Sequence, residues 1–271
     1  AVYGGCRMNG VTNNTLVLVE GGTHSGADIF GGSDISGHVG GTSQVVVTGG
    51  TVGNVYGGGN GDYDYSSASY TGLTAPSCAT TQVDILGGQV GVSGTPKNVF
   101  GGGYGAGTSV TGNVIVNIGD DTQPTANPTI NGDVYGGSAL GSVNTNNTNT
   151  TTVNVLNGTL NGDVYGGGLG DATNAAAVNG KVYVNIGKVD AETYSGNATF
   201  GATSKVFGCN NTNGSPQDDV TVNIYKTAHS GDNSYPSTVP SSATDLENMS
   251  SSDYFALQAV YGGGNLADYA P

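Results

Sequence analysis

Short stretches of alternating apolar and polar residues recur along the chain, and each reads as a strand buried on one face. They are LVLVEGG at 16–22, QVVVTGG at 44–50, QVDILGG at 82–88, VIVNIGD at 114–120, TVNVLNG at 152–158, VYVNIGK at 182–188 and VTVNIYK at 220–226. The inward positions are the pairs Val17/Val19, Val45/Val47, Val83/Ile85, Val116/Ile118, Val153/Val155, Val184/Ile186 and Val222/Ile224. β-Branched residues at every second position suit a pleated strand with one buried face. The pattern predicts strands near 15–20, 44–48, 82–86, 114–118, 152–156, 182–186 and 220–224, paired in one sheet. Between the inward pairs stand Leu18, Val46, Asp84, Asn117, Asn154, Asn185 and Asn223. The last four form an expected outer ladder of carboxamides, bonded from strand to strand.

A second phrase, an aliphatic residue and an aromatic followed by glycines, occurs eight times. It begins at Val2, Ile29, Val55, Val99, Val134, Val164, Val206 and Val260, and its aromatics are Tyr3, Phe30, Tyr56, Phe100, Tyr135, Tyr165, Phe207 and Tyr261. Successive aromatics lie 26 to 54 residues apart. A solenoid tolerates such irregularity, because insertions leave a constant core as outward loops. A short run carrying Val52, Ile130, Leu160 or Leu257 leads into the aromatic phrase. Each coil is therefore expected to hold one strand, a Gly or Asn corner, a second short strand with the aliphatic-aromatic pair, and a glycine corner needing φ > 0. The clearest insertions after the glycine corner are Asn60–Thr81 and Ser142–Thr151, whereas Thr227–Asp253 falls between the two strands of the last coil. The fold class is all-β: one domain, 1–271, a parallel β-helix of about seven coils with loop insertions. A right-handed coil is expected, since left-handed solenoids usually keep a strict hexapeptide period. Helical periodicity is nearly absent, with Ala243–Met249 the best of few stretches.

Composition narrows the partners. With 20 Asp plus Glu against 6 Lys plus Arg, the net charge is −14, unsuited to nucleic acid or an anionic membrane face. No run of 18 apolar residues occurs, so no helical span is expected. Cys6, Cys78 and Cys209 are an odd set. Cys6 and Cys209 would stand roughly 30 Å apart on the stack, beyond disulfide reach. Free thiols in place of Gly or Ala are the expectation.

Candidate chemistry is sparse. Strict alternation would turn the aromatic rings outward as a stripe able to hold sugar rings. The competing reading swings them into a corner of the core or onto the insertions, where they only stabilise the stack. Before the aliphatic stand Asp28, Asn54, Asn98, Asp133, Asp163 and Lys205. Asp133 and Asp163 fall on adjacent coils and are the weak metal candidates, relieved either by Lys205 or by a hard cation. The run GGGNGDYDY at 57–65 lacks the aspartate placement and nine-residue period of calcium-binding β-rolls. Gly119–Asp121 and Gly37–His38 lie coils apart, in the wrong order for a pectin hydrolase, and Arg7 is the only arginine. His24, His38 and His229 have no nucleophile signature beside them. No catalytic residue or cofactor is expected.

The strings NVYGGGN and GDVYGGG, with the Thr-Val-x-Val strands, resemble the long secreted repeat proteins of bacteria described as adhesin-like β-helical surface proteins. The resemblance covers essentially the whole chain. It implies an extracellular or cell-surface, structural or adhesive role and supplies no catalytic residues. The rival is a glycan-binding or carbohydrate-active β-helix using an exposed aromatic ladder. The chain opens AVYGG at 1–5 and repeats AVYGG at 259–263. Ends in one phase suggest either a segment of a longer solenoid or, the favoured expectation, head-to-tail self-association, with Ala1, Val2 and Tyr3 of one copy stacking on Val260 and Tyr261 of another. The partners expected are thus the chain itself and, on the rival reading, glycans.

Overall fold

The computed structural model describes residues 1–120, 122, 127–191, 193–228 and 257–271. Each coil runs through three parallel sheets that share one aliphatic core. The valine sheet stacks Thr15–Val19, His38–Val47, Ser77–Ile85, Val114–Ile118, Thr150–Val155, Lys181–Ile186 and Val220–Ile224 in chain order. Its register matches like with like: Val17, Val45, Val83, Val116, Val153, Val184 and Val222 form one row. Identical residues stack because equivalent coils present the same face at the same phase. From Val45 to Val184 this row is fully buried, about 1.5–3 kcal/mol for each valine.

The single second strand expected per coil is in fact two strands in separate sheets. The corner sheet stacks Thr23–His24, Thr51–Val52, Gln89–Val92, Thr129–Ile130, Asn157–Leu160 and Asn197–Phe200. The aromatic sheet stacks Val2–Tyr3, Ile29–Phe30, Val55–Tyr56, Val99–Phe100, Val134–Tyr135, Val164–Tyr165, Lys205–Phe207 and Ala259–Tyr261. Val52 and Val55 are both buried although three residues apart, which an unbroken strand cannot arrange. The chain must bend between them. After the glycines it returns across the core through Val39, Cys78, Val110, Val143 and Val178, all buried.

Glycine has two separate uses, and the sequence expectation assigned one of them to the wrong corner. Left-handed backbone occurs after the valine strands, at Gly22, Gly50 and Gly88, with φ of 86°, 81° and 70°. The first glycine after each aromatic has no such φ. It is required because a Cβ on Gly31 would stand 2.6 Å from the Gly57 carbonyl oxygen of the next coil, and one on Gly101 would strike that of Gly136. Coils at strand spacing leave no room for a methyl there.

The insertions also differ from expectation at their ends. Asn60–Thr81 holds a short 3-10 turn, Ala68–Tyr70, but its last residues already belong to the strand Ser77–Ile85. Ser142–Thr151 contributes the core residue Val143 and starts the strand at Thr150. One further insertion carries an antiparallel hairpin, Lys188–Asp190 with Thr193–Ser195. Most of Thr227–Asp253, all of Ala243–Met249, and Asp121 and His229 lie outside the described residues.

Candidate functional site

The aromatic rings form a continuous stack. Adjacent centroids from Tyr3 to Tyr261 stand 4.6 to 5.0 Å apart, with interplanar angles of 3° to 16°. Alternation does turn each ring away from the aliphatic core. The chain after the glycines then covers it, with Ala139, Tyr104, Leu140 and Leu169 packing on the stack. Phe30, Tyr56, Phe100, Tyr135, Tyr165 and Phe207 are consequently no more than 5% exposed. They are a second core outside the first, and offer no stripe for a sugar ring to lie on. Tyr3 is half-buried, and Tyr261, at the opposite end, is 46% exposed. Burial lifts the phenols of Tyr56, Tyr135 and Tyr165 far above their ordinary value, with nearby Asp carboxylates adding to the effect.

The position before each aliphatic is a column of backbone acceptors. Oδ1 of Asp28 accepts the Asn54 N–H at 2.7 Å, Asn54 that of Asn98 at 2.9 Å, and Asn98 that of Asp133 at 2.8 Å. Asp133 accepts from Asp163, and Asp163 from Lys205, both at 2.8 Å. The second oxygens of Asp133 and Asp163 accept the hydroxyls of Tyr135 and Tyr165 at 2.9 and 3.2 Å. The two weak metal candidates are therefore on adjacent coils, with both carboxylates engaged in fixing the corner. Burial raises the Asp133 carboxyl above its ordinary value; hydrogen bonds from Asp163 and Tyr135 oppose that, and the charge of Asp163 adds to it. Among the described residues no group of three or more His, Cys, Asp or Glu is placed to hold a metal.

A second polar ladder runs over the outer face of the valine sheet. Nδ2 of Asn223 donates to Oδ1 of Asn185 at 2.8 Å, and the same bond links Asn185 to Asn154 and Asn154 to Asn117, each at 2.9 Å. Asn117 donates to Oδ1 of Asp84 at 2.7 Å. Every amide points the same way and the series ends on a carboxylate, which also accepts from Gln44 and Gln82. A charged acceptor is the strongest end for such a chain of dipoles.

The remaining candidates are dispersed. Cys78 sits between Val39 and Val110, in a valine position rather than a Gly or Ala one. Cys209 replaces the second glycine of its phrase, and burial pushes both thiols up to about 12. All three cysteines are free. His38 Nδ1 bonds the Ser77 hydroxyl at 2.9 Å, and His24 is exposed. Two features escaped sequence reasoning: the hairpin bearing Tyr194, and a cluster in which the Tyr63 hydroxyl donates to Asp34 at 2.7 Å while Asn60 bonds both. Neither has a periodic signature. Both depend on insertions folding back onto the stack.

At the first rung Val2 is 44% exposed, and at the last rung Val260 is 44% exposed. The strand Val220–Ile224 is half-buried throughout. These rungs carry the same columns as the interior but only one neighbour among the described strands, which leaves unpaired backbone groups at the sheet edge. No helix among the described residues is long and apolar enough to cross a membrane. No family model, no curated protein and no solved structure matches this chain.

Proposed function

We propose that the protein is an extracellular, non-catalytic β-solenoid that serves as a structural or adhesive stalk and extends by stacking rung on rung. The observation that carries this reading is the register of the stack, in which like residues stand over like from coil to coil in parallel sheets. Val2–Tyr3 and Ala259–Tyr261 are the outermost described strands of the same eight-stranded sheet, in the same phase, with Val2, Val260 and Tyr261 exposed. On this reading a second copy brings Ala1, Val2 and Tyr3 onto the rung of Val260 and Tyr261, continuing the aromatic sheet and its ring stack. The contact is heterologous, so repeating it gives an open filament. The valine rows do not continue: the aromatic sheet has eight strands and the valine path seven, so Val220–Ile224 and Thr15–Val19 of the next copy stand two rungs apart. The engaged state of Asp133 and Asp163 and the dispersal of His24, His38 and the cysteines favour a scaffold over an enzyme. Gly, Ser, Thr and Asn in abundance with few lysines suit a secreted bacterial surface protein.

Light scattering and electron microscopy over a dilution series test the reading. End-to-end particles lengthening with concentration are expected. Compact particles of one size at every concentration would defeat the self-stacking part of it.

A further inference from the structure

The hairpin that sequence reasoning missed builds a groove on an otherwise flat face. Between Ile186 and Asn197 the chain leaves the coil, forms Lys188–Asp190 and Thr193–Ser195, and returns. It stands beside the amide ladder. The resulting groove is about 330 Å³, floored by Asn117, Asn154 and Asn185 and walled by Leu156, Val189 and Tyr225. Val189 in the groove wall is 41% exposed, and Tyr194, 46% exposed on the same hairpin, holds its ring centroid 6.3 Å from that of Tyr225.

We propose that this groove binds a neutral oligosaccharide. The ladder spends one of the two N–H groups of each carboxamide on the preceding rung, and one lone pair of each Oδ1 on the following one. The other N–H and the other lone pair remain at the groove floor, so each rung offers a donor and an acceptor side by side. That pairing suits hydroxyl groups, which both give and take a hydrogen bond. The repeat follows the strand spacing of about 4.8 Å, which places equivalent amides under successive parts of an extended chain. Tyr225 and Tyr194 supply ring faces on one side only, the arrangement that takes the C–H face of a sugar while its hydroxyls meet the amides. Charge excludes the commoner alternatives. No carboxylate lines the groove. Its one cation, Lys188, lies near Asp120, whose carboxyl is held below its ordinary value by the Thr122 N–H and hydroxyl and, further, by that lysine. No net positive charge is left to favour a sulfated, phosphorylated or uronic polymer. A peptide strand gains little here, because the ladder strands Val114–Ile118, Thr150–Val155 and Lys181–Ile186 are already paired on both sides.

The site is independent of end-to-end stacking, so each proposal stands or falls by its own result. The test is calorimetric titration of the whole chain with cello-, xylo-, manno- and laminari-oligosaccharides, using polygalacturonate and heparin as acidic controls. At least one neutral series should bind, with about tenfold weaker affinity in Tyr225→Ala. Tyr194→Ala, on the exposed hairpin, should weaken binding without altering the melting temperature, which keeps the test valid if Tyr225→Ala folds poorly. The side-chain amide resonances of Asn117, Asn154 and Asn185 should shift on titration with the bound sugar. Binding of the acidic polymers alone, or of none of the panel, overturns the proposal. Neutral-sugar binding that ignores Tyr194→Ala and leaves those amides unmoved places the site elsewhere and also overturns it. So does a change of oligomeric state on Tyr194→Ala in place of a change in affinity, which would make the face a contact between copies.

Discussion

Gly101 shows what a single residue contributes to this stack. A methyl group there collides with the Gly136 carbonyl and with Val114, both fixed by the neighbouring coil. Gly101→Ala should cost about 1–3 kcal/mol of unfolding free energy. Gly94→Ala, where nothing lies within 4 Å of the added carbon, should be nearly neutral. Denaturant unfolding of both variants checks the contrast. The recurrence of glycine after each aromatic was plain in the sequence, yet its reason was not. Left-handed turns and close backbone approach select the same residue, and only the inter-coil distance separates them. Asp133 carries a second residue-scale prediction. Asp133→Ala leaves the Asp163 N–H and the Tyr135 hydroxyl without their acceptor, a loss of about 1–3 kcal/mol. Because burial raises its carboxyl in the folded state, the folded chain holds that proton more tightly than the unfolded chain. Its contribution to stability is therefore present at low pH and falls as pH rises from about 3.9 through the raised value. Asp133→Asn should remove that fall, as read from urea unfolding at several pH values.

At the scale of elements, the stacked rings are the part whose loss costs most. Phe100 is sandwiched between Tyr56 and Tyr135 and 2% exposed. Phe100→Ala should destabilise the fold by about 3–5 kcal/mol. Tyr261→Ala, on an exposed edge strand, should change stability by no more than about 0.5 kcal/mol, as thermal unfolding will report. The valine strands and their register were legible because their two-residue period is strict and the same in every coil. The bend between the corner and aromatic sheets was partly disguised. Ile130 and Val134, like Leu160 and Val164, are an even number of residues apart and imitate one strand, whereas Val52 and Val55 are not. The amide ladder could be read from Asn117, Asn154, Asn185 and Asn223, which recur at one phase. Its end at Asp84 became visible only with the side-chain bonds in place. The cover over the rings could not be read, because Tyr104, Ala139 and Leu169 share a place, four residues past each aromatic, that holds Asn60 and Asn211 in other coils.

On the scale of the whole molecule, regularity along the axis is the governing property. Aliphatic core, aromatic core, corner acceptors and amide ladder all repeat with the coil. The proposed glycan groove lies on a side face and stays open in a stacked filament. Amide hydrogen exchange at the two end rungs, followed over a hundredfold range of protein concentration, tests the stacking most directly. The account predicts that protection at Tyr3, Val260 and Gly262 rises with concentration, while Val2, Gly4 and Gly5, whose N–H groups already bond the second coil, and the interior strands stay protected throughout. Protection of Tyr3, Val260 and Gly262 that is already complete in dilute, monomeric solution, or that never changes with concentration, would contradict it.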